Sequence, residues 1–338
     1  MSAPSPEHPK IRLIVVWSGN LPNYFPIFLG TAARNRTIDF AVFSDAKAPD
    51  RLPENVQWFC GSHAERVAQM GQQLDCNLDH VAPFKLCDLR PAFGVAFSEA
   101  LAGYDFWGSI DCDTVLGDLR AFATDQRLNQ FDILSFKGRG FIHGPLTLWR
   151  NCDRINGLYR EADWRRVFAA EEYLGFDETG KRWGGDRLPR SVAERLARNE
   201  VPCISDIVYK TAETGRVTVY DGDHIVETKP LKQVPFLAMT WKHGRLRNSV
   251  DGRPLAFFHI HWAKSDANRG DPEFQLPSWD WERFPDCFKI TRRRIGAGNL
   301  EFSRALLKAR TERQLSKLRA RLSRNHPRIY SRLVNAVR

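Results

Sequence analysis

An α/β fold, with a mostly parallel sheet flanked by helices and a basic helical C-terminal extension, is what this 338-residue sequence predicts. Three observations carry that expectation. Short β-branched runs alternate with helical patterns through the first part of the chain, the mark of βαβ units. Polar stops at Ser18-Gly19-Asn20, Ser44-Asp45 and Asp111-Cys112-Asp113 close three apolar runs, and ligands of parallel sheets collect at the carboxyl ends of strands. The net charge of +10 is concentrated late: residues 292–338 hold 14 Lys and Arg against Glu301 and Glu312, which leaves residues 1–291 at −2.

Taken in order, Ile11–Trp17 reads as a buried strand. A helix entered through Pro22 and Pro26 runs to about Arg34. Ile38–Phe43 and Val56–Phe59 are further strands, and Ser62 caps a helix over 63–73. Pro91 opens a helix that Gly103 stops, and the strand 104–110 follows. Strands are expected at Phe131–Phe136 and Phe141–Trp149, helices at 151–172 and 188–199, and short strand-like runs over 203–260. Length and a hydrophobic content of 43% suit a folded core. No apolar run reaches the about 18 residues of a membrane span. The polar, Pro-rich start does not read as a secretory leader, and seven scattered cysteines without a Cys-x-x-Cys pair point to a reducing cytoplasm.

The stretch Tyr104–Asp118 organises the rest. If its strand continues to the end, Asp111 and Asp113 share one face while Cys112 turns into the core. Carboxylates that close repel each other unless protons or a cation relieve them. A hard divalent ion, Mn²⁺ or Mg²⁺, is the economical partner, above all where a diphosphate adds oxygens. The alternative is a pair of solvated turn aspartates. No glycine-rich phosphate loop follows the first strand, so Rossmann and P-loop chemistry are both unsupported. The Asp-Cys-Asp-Thr-Val run also fits a haloacid-dehalogenase-type phosphatase, with Asp111 as nucleophile, Asp113 as acid and Val217–Asp223 as the later acidic motif. That reading wants its motif on the first core strand.

Pro83–Gly94, then Tyr104–Gly108 and Asp111-Cys112-Asp113, resemble a bacterial family of surface-polysaccharide glycosyltransferases. Leu21–Pro26, His143–Asn151, Phe176-Asp177-Glu178 and Phe258-His259 belong to the same resemblance, which spans roughly residues 10–265. It implies a GT-A-like fold, a nucleotide-sugar donor, a glycan or lipid-linked acceptor, and a metal held on the diphosphate by Asp111 and Asp113. Within that frame His259 completes the metal set, although His261 shares its strand face. Ser18, Asp45, Lys85, Asp88, Arg90, Asp111 and His143 are candidates for the donor, with Lys85 and Arg90 neutralising phosphate. The competing reading of Lys85, Asp88 and Arg90 is an ion-paired helix entrance. Asp177 and Glu178 are the candidate catalytic carboxylates, because an inverting transfer needs a base for the acceptor hydroxyl. Trp149, Trp183 and Trp241 can stack on sugars or fill the core.

Residues 1–10 are expected to be disordered, 11–290 to form the catalytic domain and 291–338 the basic extension. Leucines 306, 307, 315, 318 and 322 set among Arg and Lys suit a helix lying on an anionic membrane at its cytoplasmic face, packing on the body, or a non-catalytic basic-tailed binding protein. No aromatic interleaving supports specific nucleic-acid binding.

Overall fold

The computed structural model describes residues 8–138, 140–180, 201–227, 238–260, 274–291 and 294–296, with residues 303, 307, 311, 314, 315 and 317 of a C-terminal helix. Its centre is a seven-stranded sheet ordered β3-β2-β1-β4-β7-β6-β8. The strands are β1 Ile11–Trp17, β2 Asp39–Ser44, β3 Val56–Cys60, β4 Phe106–Ile110, β6 Ile133–Ser135, β7 Leu146–Arg150 and β8 Val219–Asp221. β3, β2, β1 and β4 are mutually parallel, β8 is parallel to β6, and β7 runs antiparallel between β4 and β6. The expected α/β class with a mostly parallel sheet therefore holds. Parallel strands buried on both faces need apolar residues on both, and β1 supplies them: Leu13 and Val15 join one core, Ile14 the other.

The order reverses beside β1. The chain winds outward through β2 and β3, then returns to lay β4 on the other flank of β1. Such a switch point leaves a crevice at the carboxyl ends of the two strands. Ser18 follows β1 and Asp111 follows β4, so two of the sequence candidates border it.

A five-stranded sheet, ordered β12-β11-β10-β14-β15, lies beyond: β10 Ala238–Lys242, β11 Arg245–Asn248, β12 Pro254–Leu255, β14 Cys287–Thr291 and β15 Ile295–Gly296. A three-stranded sheet joins β5 Thr114–Leu116, β13 Phe257–His259 and β9 Ile225–Glu227. It brings late sequence to the Asp-Cys-Asp turn.

Helix α1 spans Phe25–Ala32, shorter than the run to Arg34 that was expected. Helix α2, His63–Leu74, starts on Ser62 with a full capping box to Glu65. The helix expected from Pro91 is instead a 3-10 stretch, Pro83–Ala92, followed by one turn, α3 Phe93–Ala96. Pro91 explains it, since it cannot donate to the i−4 carbonyl and crowds it. The helix expected over 151–172 is broken into α5 Asp153–Asn156, a 3-10 turn Leu158–Glu161 and α6 Trp164–Ala169; Asp163 caps the last of these, and α4 Asp125–Gln130 precedes them. The strand-like reading after 203 is corrected by α7, Ile204–Glu213. Its buried Ile204, Ile207, Val208 and Thr211 repeat at helical spacing, a period that β-branched residue types disguise. The helix expected at 188–199 lies outside the described residues.

Candidate metal and catalytic site

β4 ends at Ile110, as expected for the strand 104–110, and does not continue through the motif, so Asp111, Cys112 and Asp113 form a turn rather than a strand end. Thr114 Oγ1 closes it by donating to the Asp111 carbonyl at 2.8 Å. Cys112 is buried in the main core, as expected, which leaves the two aspartates turned the other way. β13 pairs antiparallel with β5, setting His259 opposite Thr114, and the Ile260 N–H donates to the Asp113 carbonyl at 2.8 Å. This register delivers His259 Nε2 to 3.2 Å from Asp113 Oδ1 and 3.8 Å from Asp111 Oδ2.

One ligand atom from each of Asp111, Asp113 and His259 lies within 4.8 Å of the others. Asp113 and His259 are buried at 3% and 5% exposure, whereas the Asp111 side chain is 26% exposed. Two carboxylate oxygens and one imidazole nitrogen gathered on one side, with the third residue open to solvent, fit a divalent cation that also takes ligands from a substrate. His261, the other candidate of the pair, lies outside the described residues.

Arg90 ties this cluster to the carboxylates of the 176–178 triplet. Its guanidinium bonds Asp111 Oδ1 through Nη2 and reaches Asp177 Oδ2 at 3.3 Å through Nη1. Burial disfavours its charge, but the two carboxylates outweigh that and hold its pKa well above the ordinary value. Tyr173 donates to Asp177 Oδ1 at 2.8 Å. Burial pushes Asp177 well above the usual carboxylate range, against the opposing pull of Arg90. Burial likewise raises the Tyr173 phenol, with Asp177 adding to it.

Glu178 is half-buried and is oriented differently: its Oε1 accepts from the Gly144 N–H at 3.0 Å. Gly144 is held in turn by Ser109, whose hydroxyl donates to the Gly144 carbonyl at 3.0 Å. A Cβ on Gly144 would drive into Asp177 Oδ2 and lie 3.0 Å from Arg90 Nη1, so this position needs a bare backbone. Gly144→Ala is therefore expected to displace the Arg90–Asp177 pair, with about 1–3 kcal/mol lost in stability and activity reduced more than tenfold. Chemical denaturation and a turnover assay on the same preparation check both parts; wild-type values for the two would show that the turn can shift freely.

Two donor candidates are corrected. Lys85 and Asp88 are buried at 1% and 0% exposure, in a 2.8 Å ion pair. Lys85 also donates to the carbonyls of Val167 and Glu172, and Asp88 accepts from the N–H groups of Leu174 and Phe176. These bonds pin the loop that carries Asp177, so the ion-paired alternative holds for this pair while Arg90 alone faces the site. His143 is also enclosed, at 1% exposure, stacked on Phe257 and edge-on to His259 with ring centres 6.3 Å apart. It packs behind the metal candidate rather than lining an open pocket. Ser18 and Asp45 stay on the carboxyl edge, where Ser18 Oγ lies 3.1 Å from His63 Nδ1 and Asp45 accepts from the Gly19 N–H at 2.7 Å. Trp149 and Trp241 are core residues, and Trp183 lies outside the described residues.

Tyr173 and Ser109 carry no motif, and sequence reasoning missed both. The later acidic motif of the phosphatase alternative is drawn elsewhere, since Asp221 accepts from the Gly140 N–H and Asp223 pairs with Arg253 at 2.9 Å. The third member beside Asp111 and Asp113 is a histidine instead.

No curated protein matches the chain. Solved structures similar to it include galactosyltransferase LgtC in complex with donor and acceptor sugar analogs, at 13% identity over 80% of this chain and 93% of that one, with a TM-score of 0.34. Mouse xyloside xylosyltransferase 1, in its apo form, is similar at 7% identity over 65% of this chain and 87% of that one, with a TM-score of 0.38. A family model fits residues 13–269, a span that takes in Ser18, Arg90, Asp111, Asp113, Asp177, Glu178 and His259. By that match the chain belongs to DUF6625, a family of unknown function.

Proposed function

We infer that this protein is a metal-dependent glycosyltransferase moving a sugar from a nucleoside-diphosphate sugar to a glycan or lipid-linked acceptor of surface-polysaccharide synthesis. One observation carries the reading: Asp111, Asp113 and His259 converge at the carboxyl end of β4, next to the switch-point crevice. A bound Mn²⁺ or Mg²⁺ offsets the charge that develops on a departing diphosphate. The protein's own groups supply the remainder. Arg90, locked between Asp111 and Asp177, keeps a fixed positive charge beside the cluster without reorganising. Ser18 and Asp45 edge the same end of the sheet, where the nucleoside is expected.

Of the two candidate carboxylates, Glu178 is the better proton acceptor for an acceptor hydroxyl. Only its Oε1 is bonded to the described protein groups, and the residue is half-exposed. Asp177 is buried with both oxygens engaged, by Tyr173 and Arg90, and acts as a positioning residue. Glu178→Gln should leave donor binding intact and lower turnover by about 10²–10⁴-fold.

The decisive experiment is a thermal-shift panel of nucleoside diphosphates with Mn²⁺ and with chelator. Stabilisation by UDP or GDP in metal alone is expected, at about 2.7 kcal/mol for ligand at a hundred times its Kd. Equal responses in chelator, or none to any nucleotide, would overturn the reading.

A peripheral membrane contact through 292–338 is part of the same proposal. No described helix is long and apolar enough to cross a membrane. Leu307 and Leu315 are 69% and 41% exposed at helical spacing on the extension, within a segment of strongly positive charge. Each Lys or Arg near an anionic surface contributes about 1 kcal/mol, enough in sum for reversible attachment at an inner membrane face. Full-length protein should cosediment with anionic vesicles and release as salt rises, and a 1–291 truncation should not bind. Vesicle binding by the truncated form, or by neither form, counts against this role.

A further inference from the structure

At the open edge of the central sheet lies a cavity of about 570 Å³, a volume suited to a small organic ligand. It is formed by β3, β2, the start of β1, helix α2 and the stretch from the end of α3 to Ala100, and it shares no residue with the metal and carboxylate site. β3 stands at the sheet edge with β2 and β1 between it and β4, so that edge is three strand spacings from the site. At a strand spacing of ~4.8 Å that is roughly 14 Å.

The lining has a particular chemistry. Phe43 and Phe59 face each other across the β2–β3 pair as a stacked platform, with centroids 4.5 Å apart and planes 13° off parallel, and Phe97 extends it at 4.4 Å from Phe43. Around these rings stand primary amides, Gln57 from β3 and Gln69, Gln72 and Gln73 from α2. Arg12 and Glu99 contribute one charge of each sign. Arg12 donates to Gln57 Oε1 at 2.6 Å, which fixes that amide and directs its NH₂ group to donate elsewhere.

Each amide offers both donors and an acceptor, the pairing that hydroxyl groups require. Stacking covers the facing sides of Phe43 and Phe59, and Phe97 packs on Phe43. The half-buried Phe59 of the edge strand is therefore the ring left to meet the C–H face of a pyranose, and a lining with no net charge has no preference for an anion. A nucleotide would call for excess positive charge around its phosphates, which this cavity lacks.

We propose that this edge cavity is a second carbohydrate site, which holds a neutral oligosaccharide portion of the acceptor while its growing end reaches the Asp111–Glu178 site. The assignment of the ligand as acceptor rests on the glycosyltransferase reading, whereas the cavity's preference for neutral sugar does not. Holding one acceptor at two places raises the effective concentration of its reactive end.

The test uses the full-length protein and an array of neutral oligosaccharides built from glucose, galactose and N-acetylhexosamines, followed by calorimetry on the best binder. At least one is expected to bind, with Kd weakened tenfold or more by Phe59→Ala and by the paired exposed changes Gln69→Ala and Gln73→Ala. The glutamine pair guards against the packing loss that Phe59→Ala carries, because both side chains lie on the solvent side of α2. Asp113→Asn should bind the same sugar as wild type. The proposal falls if no neutral glycan binds, if the cavity variants bind normally, or if Asp113→Asn alone abolishes binding. Sugar binding that persists with no nucleotide response would retain the site and sink the transferase reading instead.

Discussion

Asp113→Asn is expected to remove metal-dependent nucleotide binding and turnover while leaving the metal-free protein as stable as wild type, or more so. The side chain is buried at 3% exposure and faces Asp111 and His259, so without a cation the turn holds two carboxylates in mutual repulsion. Asparagine keeps the size and still bonds His259, yet it removes one of those charges. Sites built for an ion commonly sacrifice stability in its absence. Mn²⁺ affinity should drop by at least about 100-fold, since losing a ligand outweighs the 10–100-fold typical of its supporting partners. Turnover should fall by roughly 10²–10³-fold, the scale of losing one electrostatic stabiliser. Melting curves with and without Mn²⁺ read both effects. A variant that keeps the wild-type metal shift would remove Asp113 from the metal set.

Arg90→Ala should have the largest effect on stability. The guanidinium is the shared partner of Asp111 and Asp177, and its loss strands Asp177 at 3% exposure with only Tyr173 donating to it. Breaking a buried pair from one side typically costs about 3–5 kcal/mol. The pH dependence has a definite sign. Burial already holds Asp177 above the ordinary carboxylate range, and removing Arg90 takes away the charge that opposes this. A carboxyl whose folded pKa exceeds its unfolded value binds more protons in the native state, so stability falls as pH rises from about 4 toward the folded pKa. The deficit in Arg90→Ala should therefore be small near pH 4 and grow toward neutrality. Asp177→Asn in the same background should recover much of it. Urea midpoints at several pH values measure this; a deficit independent of pH would mean that Arg90 acts through packing alone.

Much of the central sheet was legible in the sequence because parallel strands buried on both faces must be written as continuous apolar runs. β1 has the expected bounds, β2 and β3 fall within a residue of theirs, and the Ser62 cap is where its side chain required it. The aspartate turn was legible for a related reason: charge immediately after a buried run is costly unless it has work to do. Helix α7 was not, because Ile, Val and Thr carry strand preference while their spacing is helical, and burial on one face decided the outcome. The 3-10 stretch before α3 turned on Pro91 within it, a local conflict that residue preference alone does not resolve.

By itself, then, the sequence determined an α/β sheet, the strand ends that carry polar residues, the inward-facing Cys112 and the concentration of positive charge in residues 292–338. These depend on local alternation and on charge, which act within a few residues. Only the tertiary structure decided which residues share a site. His259 reaches Asp113 through the β5–β13 register, across 146 positions of chain. Arg90 is drawn to both Asp111 and Asp177, while Lys85 and Asp88, its near neighbours in sequence, are withdrawn into a buried pair. Such choices follow from burial, since a charge removed from water settles where its partners are, and partners distant in sequence leave no local pattern.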